Sequence, residues 1–535
     1  MGIAHKKPDT LSAIHGEQAT RYEQQVRLLM GGELPEGWQW ISCSRDTTVA
    51  MSTFEPIVYY KEFLPRDRFE KIKALFRGNR GERAHRQAGI LREAGLPTPE
   101  ILCWGKGKNN AFLLSQGFGG IGFFQYIKTH YSPSLDHEKI REKHLLLERA
   151  GALIGTMHNK GIVHGDLRQN NLLVKKEGDN FKFSFIDNES NRKWPYIPAS
   201  QIVKNLVQFA ICPENLLTRS DLMRLFIAYS KYYPRFSGKN KYKLLQTVYT
   251  LRKNRNLEIK VKEHIRQNCR TFDTENFRGE YVVGSIVDQK IAQRADPARW
   301  FRQGDMTLKQ DKNITVKLMH GDEGDVIVKR FTSKNLLYYA KIWLKRERAL
   351  RLWEMSHSFH ALDIPVPSPL GYALEGKGIW RTVSYFYSQY LTDARDLVVI
   401  SREKKDHFPS WLKENKIISR IARILAKLHN NGLCHGDTKW ANILANSDNG
   451  EFWFIDLDGA DRLNSPLDRS ARKDLSRFMV DMIKTGLPQP FLTEFMTEYC
   501  ELRKLNKDHV LKKIKPHIEK TLTRHKKKLA TAINS

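Results

Sequence analysis

The chain has 535 residues, 41% of them hydrophobic, with 89 Lys and Arg against 59 Asp and Glu, a formal net charge of +30. That length exceeds what one core can organise and predicts several domains, while the charge predicts an affinity for polyanions such as nucleic acid, anionic lipid headgroups or phosphorylated glycans. No run of 18 apolar residues occurs, and MGIAHKKPDTLSAIHGEQ lacks an apolar stretch behind its basic residues. The reading is therefore neither transmembrane nor secreted, and a cytosolic chain is expected.

In chain order, residues 1–35 read as an N-terminal extension. An alternating, β-rich stretch follows (SRDTTVAMSTFEPIVYYKEF), then a charged helix (RGERAHRQAGILREAG) that ends at GLPTP. AFLLSQ reads as a strand entering an interlobe hinge. The G-x-G-x-x-G string after it, GFGGIG (Gly117 to Gly122), lies 56 residues beyond Lys61, too late to be a nucleotide loop, and reads as hinge or substrate-side loop. The nucleotide-loop positions are instead SRDTTV and, later, QDKNITV, both without glycine. A long helix then runs into VHGDLRQNNLLV, short strands flank it, and the remainder is helical.

The pattern then starts again. Lys61 in IVYYKEF recurs as Lys329 in VIVKRF and GLPTP recurs as DIPVP, both at an offset of 268. MHNKGIVHGDLRQNNLL returns as LHNNGLCHGDTKWANIL at 271; FSFIDNESNR returns as FWFIDLDGADR, and KNLVQF as KDLSRF, at 269. A period this long indicates two copies of one domain, each with its own core. Strands first and helices last within each copy predict an α+β fold of two tandem bilobal domains, 36–265 and 296–535, joined by a polar linker over 266–295. Between Arg503 and Lys528 eleven Lys or Arg face two acids, which reads as a basic amphipathic C-terminal helix. The six cysteines are scattered without zinc spacing and read as free buried thiols.

The repeated blocks carry what phosphoryl transfer requires: a base for the acceptor hydroxyl, oxygen ligands for a metal, and a cation on the nucleotide phosphates. Asp166 and Asp437 are the candidate bases. Asn171 with Asp187, and Asn442 with Asp456, offer hard oxygens suited to Mg²⁺. Lys61 and Lys329, on alternating strands, would hold the phosphates of ATP; Arg168 and Lys439 would neutralise the transferring group. His164 and His435 are expected to anchor the loop from beneath rather than to react. Glu347 is the candidate helix partner of Lys329, whereas Glu82 falls one turn away from the corresponding place for Lys61.

H-G-D in place of H-R-D is shared by aminoglycoside and choline phosphotransferases and by the bacterial lipopolysaccharide core kinases. Taken together, SRDTTV, GLPTP, HGDLRQNNLL and FIDNESNR in the first copy, and Trp353, DIPVP, HGDTKWANIL, FIDLDGADR and KDLSRF in the second, resemble the Kdo and heptose kinases most closely. That resemblance covers about residues 38–230 and 297–500 and implies a protein-kinase-like fold and Mg²⁺- and ATP-dependent phosphorylation of an inner-core sugar. It further implies a lipid-linked core oligosaccharide acceptor at the anionic, cytoplasmic face of the inner membrane. Nucleic acid is disfavoured, since no RNA-recognition motif or aromatic–basic interleaving is present. Asn205 stands where the second copy has Asp474, so the first copy is expected to be less rigidly assembled. A single active domain beside a pseudokinase, and a protein or small-molecule kinase of the same fold, are the alternative readings.

Overall fold

The computed structural model describes residues 9–65, 77–131, 136–212, 216–292, 296–304, 306–321, 324–332, 347–376, 383–463 and 469–533. Two compact units divide at Arg252 and Lys253, inside the helix Gly238–Asn268. Each unit is a mixed α+β body with a sheet-rich upper lobe and a helical lower lobe.

In the first unit six antiparallel strands take the order β1-β5-β6-β4-β3-β2, with β1 Leu11–His15, β2 Trp38–Cys43, β3 Thr47–Ser52, β4 Val58–Phe63, β5 Ile101–Gly107 and β6 Ala111–Gln116. The alternation of inward and outward residues along β3 and β4 buries Ala50, Val58 and Tyr60 in the upper core. Below lie the short strands β7 Ile121–Gly122, β8 Ile162–Val163, β9 Leu172–Glu177, β10 Asn180–Phe185 and β11 Arg192–Lys193. They rest on the helix pair His137–Asn159 and Arg219–Tyr232. A Cβ at Gly151 or Gly155 would lie 2.3 and 2.6 Å from the carbonyls of Leu225 and Tyr229, so glycine lets these helices approach closely.

The second unit repeats the plan with seven strands in the order β12-β13-β17-β18-β16-β15-β14. These are β12 Cys269–Asp273, β13 Phe277–Val282, β14 Met306–Asp311, β15 Ile314–Met319, β16 Val326–Thr332, β17 Pro369–Glu375 and β18 Val383–Gln389. Its lower lobe holds β19 Ala394–Asp396, β20 Leu433–Cys434, β21 Ile443–Asn446, β22 Phe452–Phe454 and β23 Asp461–Arg462. The helix pair is Ile417–Asn430 and Gln489–Arg503, with buried Ala422 and Ala426 where the first unit has Gly151 and Gly155.

The stretches read from sequence as an N-terminal extension and as a linker each contribute to the sheets. Leu11 in β1 pairs with Gly107, and Phe277 in β13 pairs with Glu375, 268 residues further on, so β1 and β13 are the same strand of the repeated unit. Both "extension" and "linker" thus supply sheet strands. Lys329 lies between Val316 and Phe386 as Lys61 lies between Val49 and Leu113.

In the basic helix Lys507–Ile533, Val510 and Ile514 are buried on the second unit's own core, while Lys512, Lys513, Lys515 and Lys520 are exposed. No helix among the described residues is long and apolar enough to cross a membrane.

Membership of β13 in the second core has a measurable consequence. Glu280 accepts a hydrogen bond from the indole N–H of fully buried Trp353 at 2.9 Å. Glu280→Ala should lower the unfolding free energy of the second unit by about 1–3 kcal/mol, the cost of leaving a buried donor unmet. Urea unfolding of the full chain would read this, and no change would return 266–295 to linker status.

Candidate active site

The two halves of each site meet through an ion pair. Lys61 on β4 pairs with Asp187, and Lys329 on β16 pairs with Asp456 at 3.2 Å. Each aspartate is in the left-handed region (φ 63° and 62°), where the strand Phe185 or Phe454 gives way to a 3₁₀ turn. Burial opposes ionisation of Asp456, but the Lys329 ammonium beside it holds its carboxyl below the usual range.

A second ion pair, absent from the sequence reading, reinforces the first. On the helix Arg80–Glu93, Arg80 binds Glu189 through Nε (3.1 Å) and Nη2 (2.6 Å) and stacks over Phe63 at 4.6 Å. On Arg348–His360, Arg348 pairs with Asp458 and stacks over Phe331 at 4.5 Å. From sequence, the lysine partners are expected to be glutamates, Glu347 for Lys329 and, one turn out of place, Glu82 for Lys61, on these helices. They supply an arginine instead, which grips the acid two residues past Asp187 or Asp456, and the aspartates hold the lysines.

The H-G-D turn lies directly against that acidic loop. A Cβ on Gly165 would sit 2.4 Å from Ser190 Cβ, and one on Gly436 would sit 2.0 Å from the Gly459 carbonyl. No side chain fits there, which is why arginine cannot occupy this place. His164 is fully buried; its Nε2–H donates to the Ile186 carbonyl (3.0 Å) and its Nδ1 accepts from the Asp166 N–H (3.1 Å). His435 does the same with Ile455 and Asp437. Those partners require a neutral ring, and burial pushes both imidazoles below their ordinary pKa. The anchoring role expected from sequence is the one their contacts describe.

Asp166 and Asn171 are also brought together. The Asn171 amide donates to the Asp166 carbonyl at 2.8 Å, and Asn442 donates to Asp437 at 2.9 Å, which turns each carboxamide oxygen away from the loop. Arg168 binds the Asp166 carboxylate through Nε (2.7 Å) and Nη2 (2.6 Å), whereas Lys439 stands 3.6 Å from Asp437. The other oxygen of each candidate base has a partner that sequence reasoning missed: neutral Gln208 for Asp166 (3.2 Å), and Arg477 for Asp437.

Asn205 in place of Asp474 predicts a looser first site; the contacts show each side chain holding the turn in its own way. Asp474 has only acceptors; it takes the N–H groups of His435 (2.8 Å) and Gly436 (2.7 Å), and Gly436 adopts φ +80°. Asn205 has a donor as well: its Oδ1 takes the His164 N–H (3.1 Å) and its Nδ2 gives to the His164 carbonyl (2.7 Å). The peptide between His164 and Gly165 therefore presents the opposite face. Its N–H, turned away from Asn205, is met by Asn191 Oδ1 at 3.0 Å, and Asn191 has Ala460 as its counterpart. The exchange of Asp for Asn is thus matched by a second polar residue. His158 and His429 back the anchors at 3.3 and 3.2 Å, each capped by a tyrosine hydroxyl.

GFGGIG follows β6 and continues into β7, which pairs with β9, so it connects the upper and lower lobes of the first unit. The glycine-free turns Ser44–Thr47 and Asp311–Ile314 close the hairpins β2–β3 and β14–β15.

Comparison with known proteins gives this geometry a lineage. The profile of the lipopolysaccharide kinase (Kdo/WaaP) family matches residues 76–229 and again residues 302–499, one segment in each structural unit. The chain belongs to the lipopolysaccharide kinase (Kdo/WaaP) family. Among curated relatives, the 3-deoxy-D-manno-octulosonic acid kinase of Pasteurella multocida is 26% identical over 123 residues, 23% of this chain and 48% of that protein. The enzyme of the same name from Mannheimia succiniciproducens is 24% identical over 122 residues, 22% and 48%. The chain spans about half the length of the curated relatives it matches. Among solved structures, WaaP in complex with acyl carrier protein aligns at 20% identity with a TM-score of 0.34, covering 43% of this chain and 95% of that one. The kinase domain of PknI from Mycobacterium tuberculosis aligns at 13% and 0.24, covering 40% and 94%.

Two predictions follow from the anchors. Asn205→Asp should destabilise the first unit by about 1–3 kcal/mol, because a carboxylate would then face the His164 carbonyl. Denaturant unfolding would measure it, and a stabilised protein would refute the peptide-orientation account. His158, whose pKa burial lowers to about 4, is neutral in the fold but protonates near 6.5 when unfolded. Its contribution is therefore intact above pH 6.5 and lost progressively as pH falls towards 4. His158→Gln should flatten the stability-against-pH curve in that window, and an unchanged slope would contradict it.

Proposed function

We propose that this chain is an ATP- and Mg²⁺-dependent kinase of a sugar hydroxyl, heptose or Kdo, in the lipopolysaccharide inner core, with both units competent. One observation carries the reading. Each unit joins a strand lysine to the aspartate behind the catalytic loop and fixes an asparagine five residues beyond its candidate base.

The donor chemistry fits a hard cation. Asn171 and Asp187, or Asn442 and Asp456, present only oxygens, and no cluster of three or more His, Cys, Asp or Glu able to hold a metal occurs among the described residues. Such a sparse set suits Mg²⁺, which keeps substrate phosphates and water among its ligands. When bound, the ion offsets charge on the phosphate oxygens. Lys61 and Lys329 would hold the α- and β-phosphates. Asp166 or Asp437 orients the acceptor hydroxyl and receives its proton as that oxygen bonds to the γ-phosphorus and the bridging P–O bond breaks, releasing ADP. Arg168 and Lys439 stand beside the base, where they can stabilise charge on the transferring group.

The paired Asn205 and Asn191 support activity in the first unit, since the anchor is replaced rather than lost. A lipid-linked acceptor at the cytoplasmic face of the inner membrane agrees with the +30 charge. The C-terminal helix would serve there electrostatically: its apolar side is buried at Val510 and Ile514, leaving lysines outward.

Mass spectrometry of core oligosaccharide from cells carrying Asp166→Ala, Asp437→Ala or both tests the reading. Each single change should reduce its own phosphorylation roughly 10²-fold or more, and the double change should remove both. Unchanged phosphate in all three strains would end the proposal.

A further inference from the structure

The same scaffold carries opposite charges beside the two sites. In the first unit a cleft of about 740 Å³ opens between the start of the helix Arg80–Glu93 and the loop after Asp187, lined by Arg77, Arg83, Arg86 and Arg192 with Glu82 and Glu189. Glu189 does not neutralise it, because its carboxylate is engaged by buried Arg80. Arg86 bonds to the Arg77 carbonyl at 3.4 Å, and both Arg86 and Arg192 are exposed. Among the described residues neither has a carboxylate partner.

The cleft adjoins the catalytic loop. Arg192 pairs in register with Val163, three residues before Asp166, and its neighbour Asn191 holds the Gly165 N–H. At the offsets of the repeat, Arg86 becomes Glu354 and Arg192 becomes Asp461. The arginine retained there, Arg351, lies 3.6 Å from Asp461 and donates to the Ala460 carbonyl at 2.6 Å. Two positions have reversed sign, while the lysine, base and metal-site residues have been kept.

Resting on the kinase reading above, we infer that the first unit's cleft binds an oxyanion of the acceptor, a phosphate monoester or a sugar carboxylate, and that the second unit has no such subsite. Paired guanidinium groups suit such an anion because their fork geometry matches two of its oxygens. The two units would then select different acceptor positions, distinguished by whether an anion lies next to the hydroxyl.

The test uses the full chain with Asp437→Ala, so that turnover reports the first unit, with and without R86E/R192D. The acceptors are Kdo-bearing lipid A with its phosphates and the same molecule dephosphorylated. The charge reversal should raise KM for the phosphorylated acceptor at least tenfold with kcat changed less than threefold, and R86K/R192K, which keeps the charge but not the fork, should recover only part of the loss. A rise on both acceptors identifies the carboxylate as the anion; a rise confined to the phosphorylated one identifies the phosphate. An unchanged KM on both overturns the inference. Co-sedimentation with lipid A vesicles separates it from the kinase reading. If the Asp437→Ala chain transfers no phosphate but loses vesicle binding at least fivefold on charge reversal, the kinase reading fails for this unit and the anion subsite stands. Vesicle binding unaltered by the reversal in such a chain would remove the subsite too.

Discussion

The site depends on a contact that leaves no room for a side chain. The H-G-D turn and the loop after the strand aspartate touch at Gly165 and Ser190 in one unit and at Gly436 and Gly459 in the other. With glycine there, the histidine before it can reach back to the carbonyl of Ile186 or Ile455, and the base after it is held by the ring's other nitrogen. The left-handed aspartate turn then presents its carboxylate to the upper-lobe lysine. The candidate base, the aspartate proposed to hold the metal and the lysine are thus linked through one backbone contact. The arginine of the following helix ties the same loop to the upper lobe a second time.

Duplication makes this dependence visible, because the two copies vary some parts and keep others. The anchor beneath the turn changes from Asp474 to Asn205, and the peptide above it reverses to match the hydrogen-bonding capacity of each side chain. Asn191 meets the donor that this reversal turns away. Around the candidate bases, Arg477 gives way to Gln208, so among the described residues Asp437 has two cationic neighbours and Asp166 has one. The differences therefore lie in the support and surroundings of the proposed chemistry, and its four candidate side chains are unchanged.

Much of this was legible in the sequence because phosphoryl transfer constrains residue type at fixed spacing: strand Lys, Asp with Asn five residues on, and Ile-Asp behind a strand. The recurrence of that order gave the two α+β units. The missing sheet strands were harder to see. LSAIH and FRGEYV share no motif, and Gly279 within the latter weakens the strand signal, yet it is required because a Cβ there would lie 1.9 Å from the Tyr372 carbonyl. The helix arginines were hidden because a helix glutamate is the usual partner of the strand lysine; the repeat of Arg80 as Arg348, with an acid two residues past each Asp, held the signal. The exchange at Asn205 was visible as a letter, but its consequence was not, since peptide orientation is set by partners 41 residues apart in sequence.

Equilibrium binding of a non-hydrolysable ATP analogue with Mg²⁺ to the full chain tests the central claim that both units are assembled for phosphoryl transfer. The account predicts two sites per chain, one removed by Lys61→Ala and the other by Lys329→Ala. A single site, lost entirely with one of these lysines and untouched by the other, would contradict it.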